Sequence, residues 1–384
     1  MKTIEPREYQ LRIIEKTIKA FTQESHKSVL IESPTGSGKT IIALSTLKRL
    51  QELIPDITFG WVAMRQKLLI QAAKENENIG VNNIQYISMF DKNPPQCKFM
   101  ITDEAQHDAA DTCISMHGRM GAQFSLGLTA TPFRTDRIKL TYEKIITDCG
   151  VRFLIEAGYL ANFDQYVIKD WSPQIVGQTF LADQERWGKS IFYFKNTQLC
   201  FELEKILKDA GVPCAVLLGS LNTSVKDKIY SDFENGTIKA LINVYLLTEG
   251  FDAPDLKTVW VRDSGKLCTM QMAGRVLRKC PEWLDKVANI IQPENTPYPY
   301  ARTAKPRKQY VWDEGSWKSI EAGPQVERMT SIVTRVIMPM QVILPKFLDT
   351  NGTTISINRK SGIKVKNREA VKKWQNWEVL KKEG

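Results

Sequence analysis

The segment SPTGSGKT, Ser33 to Thr40, decides the fold predicted for this chain of 384 residues. The apolar run Ser28 to Glu32 precedes it and a helical pattern follows, which is the order of strand, glycine-rich loop and helix that a phosphate-binding loop requires. In such a loop glycines let backbone amides turn toward phosphate oxygens, a lysine reaches the β and γ phosphates, and a hydroxyl binds magnesium. We therefore predict ATP and Mg²⁺ as cofactors. The residues predicted to contact the nucleotide are Pro34, Thr35, Gly36, Ser37, Gly38, Lys39 and Thr40, of which Thr40 also binds the metal.

One residue of this segment departs from the general pattern, because Ser33 occupies the position of its first glycine. A chance glycine turn is the competing interpretation, and the flanking strand and helix patterns disfavour it. A P-loop kinase would also carry such a loop, so the motifs further along the chain must decide the function.

An acidic pair follows the apolar run Phe99 to Thr102, in the sequence DEAQ. We predict that Asp103 holds magnesium through water and that Glu104 orients and deprotonates the attacking water. Acidic pairs often only end a strand in solvent. The functional interpretation depends on DEAQ lying downstream of the phosphate loop in the same predicted sheet.

The segment QMAGRVLR, Gln271 to Arg278, supplies positive charge in the second half of the chain. Arg275 and Arg278 are three residues apart, on one face of a predicted helix, and are candidate arginine fingers, with Gln271 beside the γ-phosphate. A helix with two arginines is usually a surface helix, so this assignment depends on the phosphate loop upstream.

Two further motifs follow predicted strands. In LTATP, Leu128 to Pro132, the hydroxyls of Thr129 and Thr131 are predicted to link the nucleotide site to the opposite lobe. In LTEGFD we predict that Thr248 bonds a phosphate of the nucleic-acid strand and that Gly250 permits close approach of the backbone. Asp252 is predicted to contact the ribose or an arginine.

Apolar runs alternate with helical patterns throughout the first three quarters of the chain, which predicts two tandem parallel α/β domains. Between them we expect a helix, a turn at Gly158 and an extended linker. The predicted strands of the first domain are Ser28 to Glu32, Ile57 to Ala63, Ile84 to Ser88, Phe99 to Thr102 and Ser125 to Leu128. Those of the second are Ile191 to Phe194, Cys214 to Leu218, Ala240 to Val244, Thr258 to Val261 and Val287 to Ile291.

Positive charge is concentrated at the end of the chain. The net charge is +10, and residues 293–384 hold 17 Lys+Arg against 9 Asp+Glu, a net +8. A local basic excess suits a polyanion such as nucleic acid, and a solvated lysine-rich tail is the alternative. Aromatic residues are interleaved with this charge and suit either base stacking or a small core: Tyr298, Tyr300, Tyr310, Trp312, Trp317, Trp374 and Trp377.

Within this basic region the sequence favours an irregular connection over Pro293 to Tyr310 and a Val/Ile/Thr-rich stretch over Ser331 to Leu344. It favours a hairpin over Ile355 to Val365 and a basic helix over Glu369 to Lys382. We therefore predict a small basic C-terminal region.

Composition excludes several other classes of protein. No run approaches the roughly 18 apolar residues of a membrane span, and charged residues interrupt the start of the chain, which excludes an ordinary secretory signal. The seven cysteines form no CxxC pair, so we expect reduced thiols and no zinc site. We expect a cytoplasmic monomer with no membrane partner, in the host cytoplasm if the chain is viral.

The order of the motifs PREYQ, SPTGSGKT, DEAQ, LTATP, IFYFKN, LTEGFD and QMAGRVLR resembles the superfamily 2 helicases and translocases. The likeness is to the branch that contains XPB, UvsW and type III restriction helicase subunits, and GYLANF is similar to its inter-lobe segment. This resemblance implies two RecA-like lobes with ATP between them. It implies that Gln10 reads the adenine edge with support from Arg7, and that Arg65, the loop near Ser88 and Thr248 contact the nucleic-acid backbone.

The resemblance also predicts domain limits and a substrate. We expect a first RecA-like lobe over 1–140, a linker over 141–170, a second lobe over 171–292 and a basic extension over 293–384. DEAQ and a glutamine-led final motif favour DNA over RNA as the partner, with protein partners as a source of structure specificity. Three functions fit: an ATP-driven DNA translocase, a nucleic-acid-gated ATPase switch, and a motor subunit of a restriction or defence complex.

Overall fold

The computed structural model describes residues 5–107, 111–132, 140, 142–244, 253–313, 316–320, 355–358 and 362–365. Residues Met1–Ile320 and Glu321–Gly384 form two separate compact units. Within the first unit two sheets, each with its helices, form what we call the first lobe and the second lobe. No helix among the described residues has the length and apolar character to cross a membrane.

The first lobe is a six-stranded, wholly parallel sheet in the order β3-β2-β4-β5-β1-β6. Its strands are β1 (Ser28–Glu32), β2 (Phe59–Ala63), β3 (Ile84–Ser88), β4 (Phe99–Asp103), β5 (Phe124–Thr129) and β6 (Lys144–Thr147). Its helices are α1 (Glu8–Thr22), α2 (Lys39–Leu53), α3 (Gln66–Ile79) and α4 (Asp111–Met120), with a 3₁₀ turn at Ala105–His107. The helix α5 (Val151–Glu156) leads out of this lobe.

The second lobe is an eight-stranded sheet in the order β14-β13-β7-β12-β11-β8-β10-β9, in which only the β13–β14 pair is antiparallel. Its strands are β7 (Asn162–Ile168), β8 (Ser190–Tyr193), β9 (Cys214–Leu217), β10 (Ala240–Asn243), β11 (Thr258–Trp260), β12 (Val287–Pro293), β13 (Lys308–Asp313) and β14 (Ser316–Ser319). Its helices are α6 (Pro173–Ala182), α7 (Gln184–Trp187), α8 (Thr197–Asp209), α9 (Thr223–Glu234) and α10 (Lys266–Gly274), with a 3₁₀ turn at Tyr300–Arg302.

The strands form where apolar runs are buried on both faces, as parallel sheets require. Every residue of β2 and of β4 is buried. In the first lobe Phe21 of α1 packs edge-on against Phe99 of β4 with ring centroids 4.9 Å apart. In the second lobe Phe192 stacks on Trp260 at 5.1 Å. The predicted α/β class with two tandem parallel sheets is confirmed, and the ten predicted strands are present with ends shifted by at most two residues.

The segment predicted as an extended linker is built into both sheets. Residues 144–147 form β6, which pairs with β1 at the edge of the first sheet, and residues 162–168 form β7, which lies between β12 and β13. The predicted helix and the turn at Gly158, whose φ is 72°, are present between these strands. Pairing between distant segments, which local sequence does not encode, explains the difference.

The start of the basic extension also belongs to the second lobe. The predicted irregular connection contains the turn Tyr300–Arg302 and leads directly into β13. Tyr310 stacks on Tyr166 at 4.7 Å, and Trp317 packs edge-on against Tyr166 at 5.0 Å. Tyr300 is fully buried.

These contacts favour the core interpretation of the aromatic residues over base stacking. Trp312 is half-buried against Trp317, with ring centroids 5.0 Å apart. Trp374 and Trp377 lie outside the described residues.

In the second unit, β15 (Ile355–Asn358) pairs antiparallel with β16 (Gly362–Val365), so the predicted hairpin is confirmed. The predictions for Ser331 to Leu344 and Glu369 to Lys382 fall outside the described residues.

Candidate nucleotide-binding cleft

The phosphate loop connects β1 to α2 with two glycines in the left-handed region, Gly36 at φ 83° and Gly38 at φ 76°. Residues other than glycine rarely adopt this backbone conformation. The buried Ser33 hydroxyl donates to the Ser37 hydroxyl at 2.7 Å. A serine at the first glycine position therefore braces the loop from inside.

Helix α1 holds the loop from the other side. The Tyr9 hydroxyl and the Gln10 side-chain amide both donate to the Ser37 carbonyl, at 2.6 and 2.9 Å. The Gln10 side-chain oxygen accepts from the Arg7 amide at 2.8 Å. Gln10 is thus a brace of the phosphate loop in this structure, and one amide hydrogen and one lone pair remain for the predicted contact with adenine.

The acidic pair lies at the end of β4, where Asp103 is buried. Burial raises the pKa of the Asp103 carboxyl well above its usual range, the charge of Glu104 raises it further, and Lys39 acts in the opposite direction. Glu104 is a non-glycine residue at φ 56°, a strained conformation that recurs at functional sites. The Glu104 amide donates to Asp103 Oδ1 at 3.0 Å.

A short hydrogen-bond chain leads from Glu104 to LTATP. Gln106 Nε2 donates to Glu104 Oε2 at 2.9 Å, and the Thr129 hydroxyl donates to Gln106 Oε1 at 2.7 Å. The Thr131 amide in turn donates to the Thr129 hydroxyl at 3.0 Å. The hydrogen bonds of Thr129 therefore run within the first lobe, to the acidic pair, rather than across to the second lobe as the sequence predicted.

The arginines of QMAGRVLR lie just beyond α10 rather than on one face of it. The helix ends at Gly274, and the Arg278 amide donates to the Arg275 carbonyl at 3.2 Å in the turn that follows. Arg275 is buried. A Cβ built on Gly36 would lie 3.4 Å from Arg278 Cγ, so this side chain lies against the phosphate loop.

Both lobes line one cleft of about 320 Å³. The first-lobe wall consists of the phosphate loop, Thr40 and the acidic pair, and the second-lobe wall includes Arg275 and Arg278. Gln271 lines a neighbouring cavity of about 10 Å³ with Thr35 and Thr131, so it lies beside the phosphate loop but outside the main cleft.

Four polar residues of the cleft were not predicted from the sequence. Tyr159 lies in GYLANF, and the Arg7 guanidinium is 4.7 Å from the centre of its ring. Gln71 and Glu75 reach the cleft from α3, and Lys279 follows the second arginine. GYLANF was predicted only as the inter-lobe segment, and nothing in the pattern of α3 distinguishes its two residues from other polar surface positions.

The cleft fits a nucleoside triphosphate and magnesium. Its volume lies within the range of small-molecule sites, about 300–1,000 Å³. Helix α2 begins at Lys39, so its N-terminus lies at the wall of the cleft and favours a bound anion. The Thr40 hydroxyl and the Asp103 carboxylate are the hard oxygen donors that Mg²⁺ prefers. A cation beside Asp103 would offset the cost of its buried charge.

The residues predicted to contact nucleic acid lie partly within and partly outside the described residues. Arg65 precedes α3 at the end of β2, and Ser88 ends β3, so both lie at the carboxyl edge of the first sheet. Thr248, Gly250 and Asp252 lie outside the described residues.

Two family matches fall in the two lobes that line this cleft. Residues 3–95 match the family described as Type III restriction enzyme, res subunit, and residues 172–280 match Helicase conserved C-terminal domain. The chain belongs to the superfamily 2 helicases, in the type III restriction-like branch. The first match contains the phosphate loop, and the second contains Arg275 and Arg278.

Two relatives by sequence come from a phage and a yeast. A 51.5 kDa protein of Lactococcus phage (isolate 7-9) is 29% identical over 59% of this chain and 57% of its own length. A Schizosaccharomyces pombe protein named as a mitochondrial ATP-dependent helicase, irc3, is 27% identical over 71% of this chain and 55% of its own. This helicase chain thus spans little more than half the length of these two relatives.

Solved structures share the fold. Saccharomyces cerevisiae Dbp5 bound to RNA and ADP BeF3 superposes with a TM-score of 0.60 at 16% identity, covering 86% of this chain and 94% of that chain. The ATP-dependent Type ISP restriction-modification enzyme LlaBIII bound to DNA has a TM-score of 0.56 at 14% identity, covering 86% and 32%. At these identities the likeness concerns architecture, and it agrees with two RecA-like lobes.

Proposed function

We propose that this chain is an ATP-driven translocase that acts on DNA and unwinds or remodels branched duplexes. One observation carries the proposal: Lys39 of the first lobe and Arg275 and Arg278 of the second line the same cleft of about 320 Å³. A nucleotide held there contacts both lobes at once. Hydrolysis that weakens the contact with one wall then changes the position of the lobes relative to each other.

The chemistry follows from the charges on the two walls. Lys39 and the loop amides bind the β and γ phosphates, and the two arginines stabilise the negative charge that develops on the transferred phosphoryl group. Glu104, held by Gln106 and by its own strained backbone, orients the attacking water and accepts its proton. Magnesium, held by Thr40 and Asp103, would supply further charge neutralisation at the phosphates.

DNA is the proposed partner because DEAQ and the glutamine-led QMAGRVLR differ from the motifs of DEAD-box RNA helicases. Structures of the same fold include one bound to DNA and one bound to RNA, so the fold is compatible with either. Backbone contacts through Arg65, Ser88 and Thr248 would make movement largely independent of sequence.

The test is ATP hydrolysis by the purified chain with single-stranded, duplex and forked DNA and with the matching RNAs, followed by strand displacement on the forked substrate. We expect forked or single-stranded DNA to stimulate hydrolysis most, and strand displacement to require ATP. Glu104→Gln serves as the control, since it should bind ATP and lose hydrolysis by about a hundredfold or more. Stimulation by RNA alone would overturn the choice of DNA, and stimulation without displacement would favour the switch.

A second function has a specific observation in its favour. The first family match is to a restriction subunit, which fits a motor subunit of a larger restriction or defence complex. Movement along duplex DNA without strand separation, measured as displacement of a third strand from a triplex, would support this alternative.

A further inference from the structure

An exposed aromatic side chain stands at the carboxyl end of β3. Phe90 is 62% exposed, more than Phe201 at 50% or Phe153 at 41%. It lies two residues after Ser88, a predicted contact to the nucleic-acid backbone. The Met89 amide donates to the Ala63 carbonyl at 3.0 Å, which attaches this segment to the end of β2 just before Arg65.

The local structure holds Phe90 outside the core. Its amide donates to the Ser88 hydroxyl at 3.3 Å, and the Asp91 amide donates to the Ser88 carbonyl at 2.9 Å, closing a tight turn. The preceding Met89 is only 2% exposed and packs in a core cluster with Val62. Since Met89 occupies the interior position, the turn directs the phenylalanine to solvent.

Cations lie around this aromatic, beside the exposed carboxylate of Asp91 in the same turn. Arg65 lies at the end of the neighbouring strand, and Lys92 follows two residues after Phe90. Arg119 at the end of α4 donates to the Lys92 carbonyl at 2.5 Å, which brings another guanidinium to this loop. A solvent-exposed aromatic among cations is the combination by which proteins hold single strands, with rings stacking on bases and cations meeting phosphates.

We propose that Phe90 stacks on an unpaired base of the strand that crosses the carboxyl edge of the first lobe. This role rests on the proposed function, because it requires a nucleic-acid strand at that edge. Arg65 and Ser88 are predicted to contact the backbone of the strand, whereas the Phe90 contact depends on the presence of a base. Because every base presents a π face, such a contact tolerates any sequence, as a translocase requires.

The experiment compares a single-stranded DNA oligonucleotide with the same oligonucleotide carrying abasic sites, by fluorescence anisotropy. We expect the wild-type chain to bind the intact strand about tenfold more tightly than the abasic strand. Phe90→Ala should bind the intact strand about tenfold more weakly than wild type and should no longer distinguish the two strands. Phe90→Tyr, which keeps the ring, should restore the distinction. Phe201→Ala, an exposed phenylalanine on α8, is the matched control and should behave as wild type.

The outcomes separate this role from the proposed function. If wild type binds the intact strand but Phe90→Ala retains the full difference between the strands, or loses affinity equally for both, the stacking role is overturned and the translocase proposal stands. If wild type binds neither strand and its hydrolysis is not stimulated, the proposed function fails and the stacking role fails with it. Equal unfolding temperatures of wild type and Phe90→Ala would exclude misfolding as the cause of lost binding.

Discussion

Lys67 of the first lobe and Glu234 of the second form an ion pair, with Lys67 Nζ 2.6 Å from Glu234 Oε1. Lys67 lies in the first turn of α3 and Glu234 is the last residue of α9. The ammonium group also lies 5.5 Å from the centre of the Tyr230 ring. This contact joins the two lobes and therefore favours the closed arrangement, meaning the one seen here, in which both lobes line the cleft.

Reversing one charge of this pair should weaken ATP binding by disfavouring the closed arrangement. Exposed ion pairs contribute about 0.2–1 kcal/mol, so Lys67→Glu should raise the Kd for ATP by a factor of about 1.4 to 5 at low salt. Adding Glu234→Lys should restore it, and high salt should remove the difference. Titration with a fluorescent ATP analogue measures this. Lys208→Glu breaks a pair within α8 and is the control; an equal effect there would refute an inter-lobe role.

Replacing either arginine of QMAGRVLR should impair hydrolysis far more than binding. An arginine that meets the transferred phosphate contributes about a thousandfold or more to kcat, so Arg275→Ala and Arg278→Ala should each lose that much in single-turnover hydrolysis. Because Arg275 is buried, Arg275→Lys is the better-tolerated variant; it keeps the charge and loses the forked geometry. Arg152→Ala, which removes an exposed arginine of α5, controls for lost charge. Hydrolysis close to the wild-type rate in either arginine variant would contradict the proposed site.

Two glycines with similar backbone angles should differ in their effect on ATP binding. Gly38 has φ 76° and Gly80 has φ 74°, so alanine at either costs about 1–2 kcal/mol of stability. A Cβ on Gly38 would also lie 2.6 Å from Gln10 Nε2. A Cβ on Gly80 would meet no such close contact, since its nearest side-chain neighbour is Lys48 Nζ at 4.0 Å. We expect both variants to unfold at lower temperature and only Gly38→Ala to lose ATP affinity. Equal ATP affinity in the two would show that the loop tolerates the displacement of Gln10.

A carboxylate near β6 should make stability depend on acidic pH. Burial alone would raise the pKa of Asp148, but hydrogen bonds from Arg12 and Lys16, at 2.7 Å each, outweigh it and lower the pKa. A lowered pKa means that the carboxylate stabilises the fold above its unfolded-state pKa, about 3.9, and that this contribution is lost as pH falls through the folded-state value. Asp148→Asn should therefore melt about 2 °C below wild type at pH 7, and the difference should shrink progressively as pH falls below about 3.9. A difference that persists in acid would assign it to packing instead.

Removing residues 321–384 should weaken nucleic-acid binding in a salt-dependent way. This unit holds 12 Lys+Arg and 6 Asp+Glu, a net +6, and the cut falls after β14, so the second sheet stays complete. Each lost phosphate contact should lower the slope of log K against log salt by about 0.9 on duplex DNA. ATP affinity should be unchanged. An unchanged slope in a truncated chain that melts like wild type would assign the basic residues to solubility.

Much of the site was predictable because its signals are local. The phosphate loop needs a strand, glycines at left-handed positions and a helix in immediate succession, and all of them lie within Ser28 to Leu53. The buried strands could be recognised by their continuous apolar runs. Arg275 and Arg278 could be assigned only through the order of motifs, since their own pattern fits an ordinary surface helix.

What the sequence by itself determined is therefore the fold class, most strand positions and the local form of the predicted phosphate loop, because each depends on neighbours within a few positions along the chain. Only the tertiary structure decided that β6 and β7 complete the two sheets, that Tyr159 and Glu75 reach the cleft, and that Lys67 meets Glu234. Those relationships join residues far apart in the chain, and they depend on how two separately formed sheets pack, which no local pattern of residues encodes.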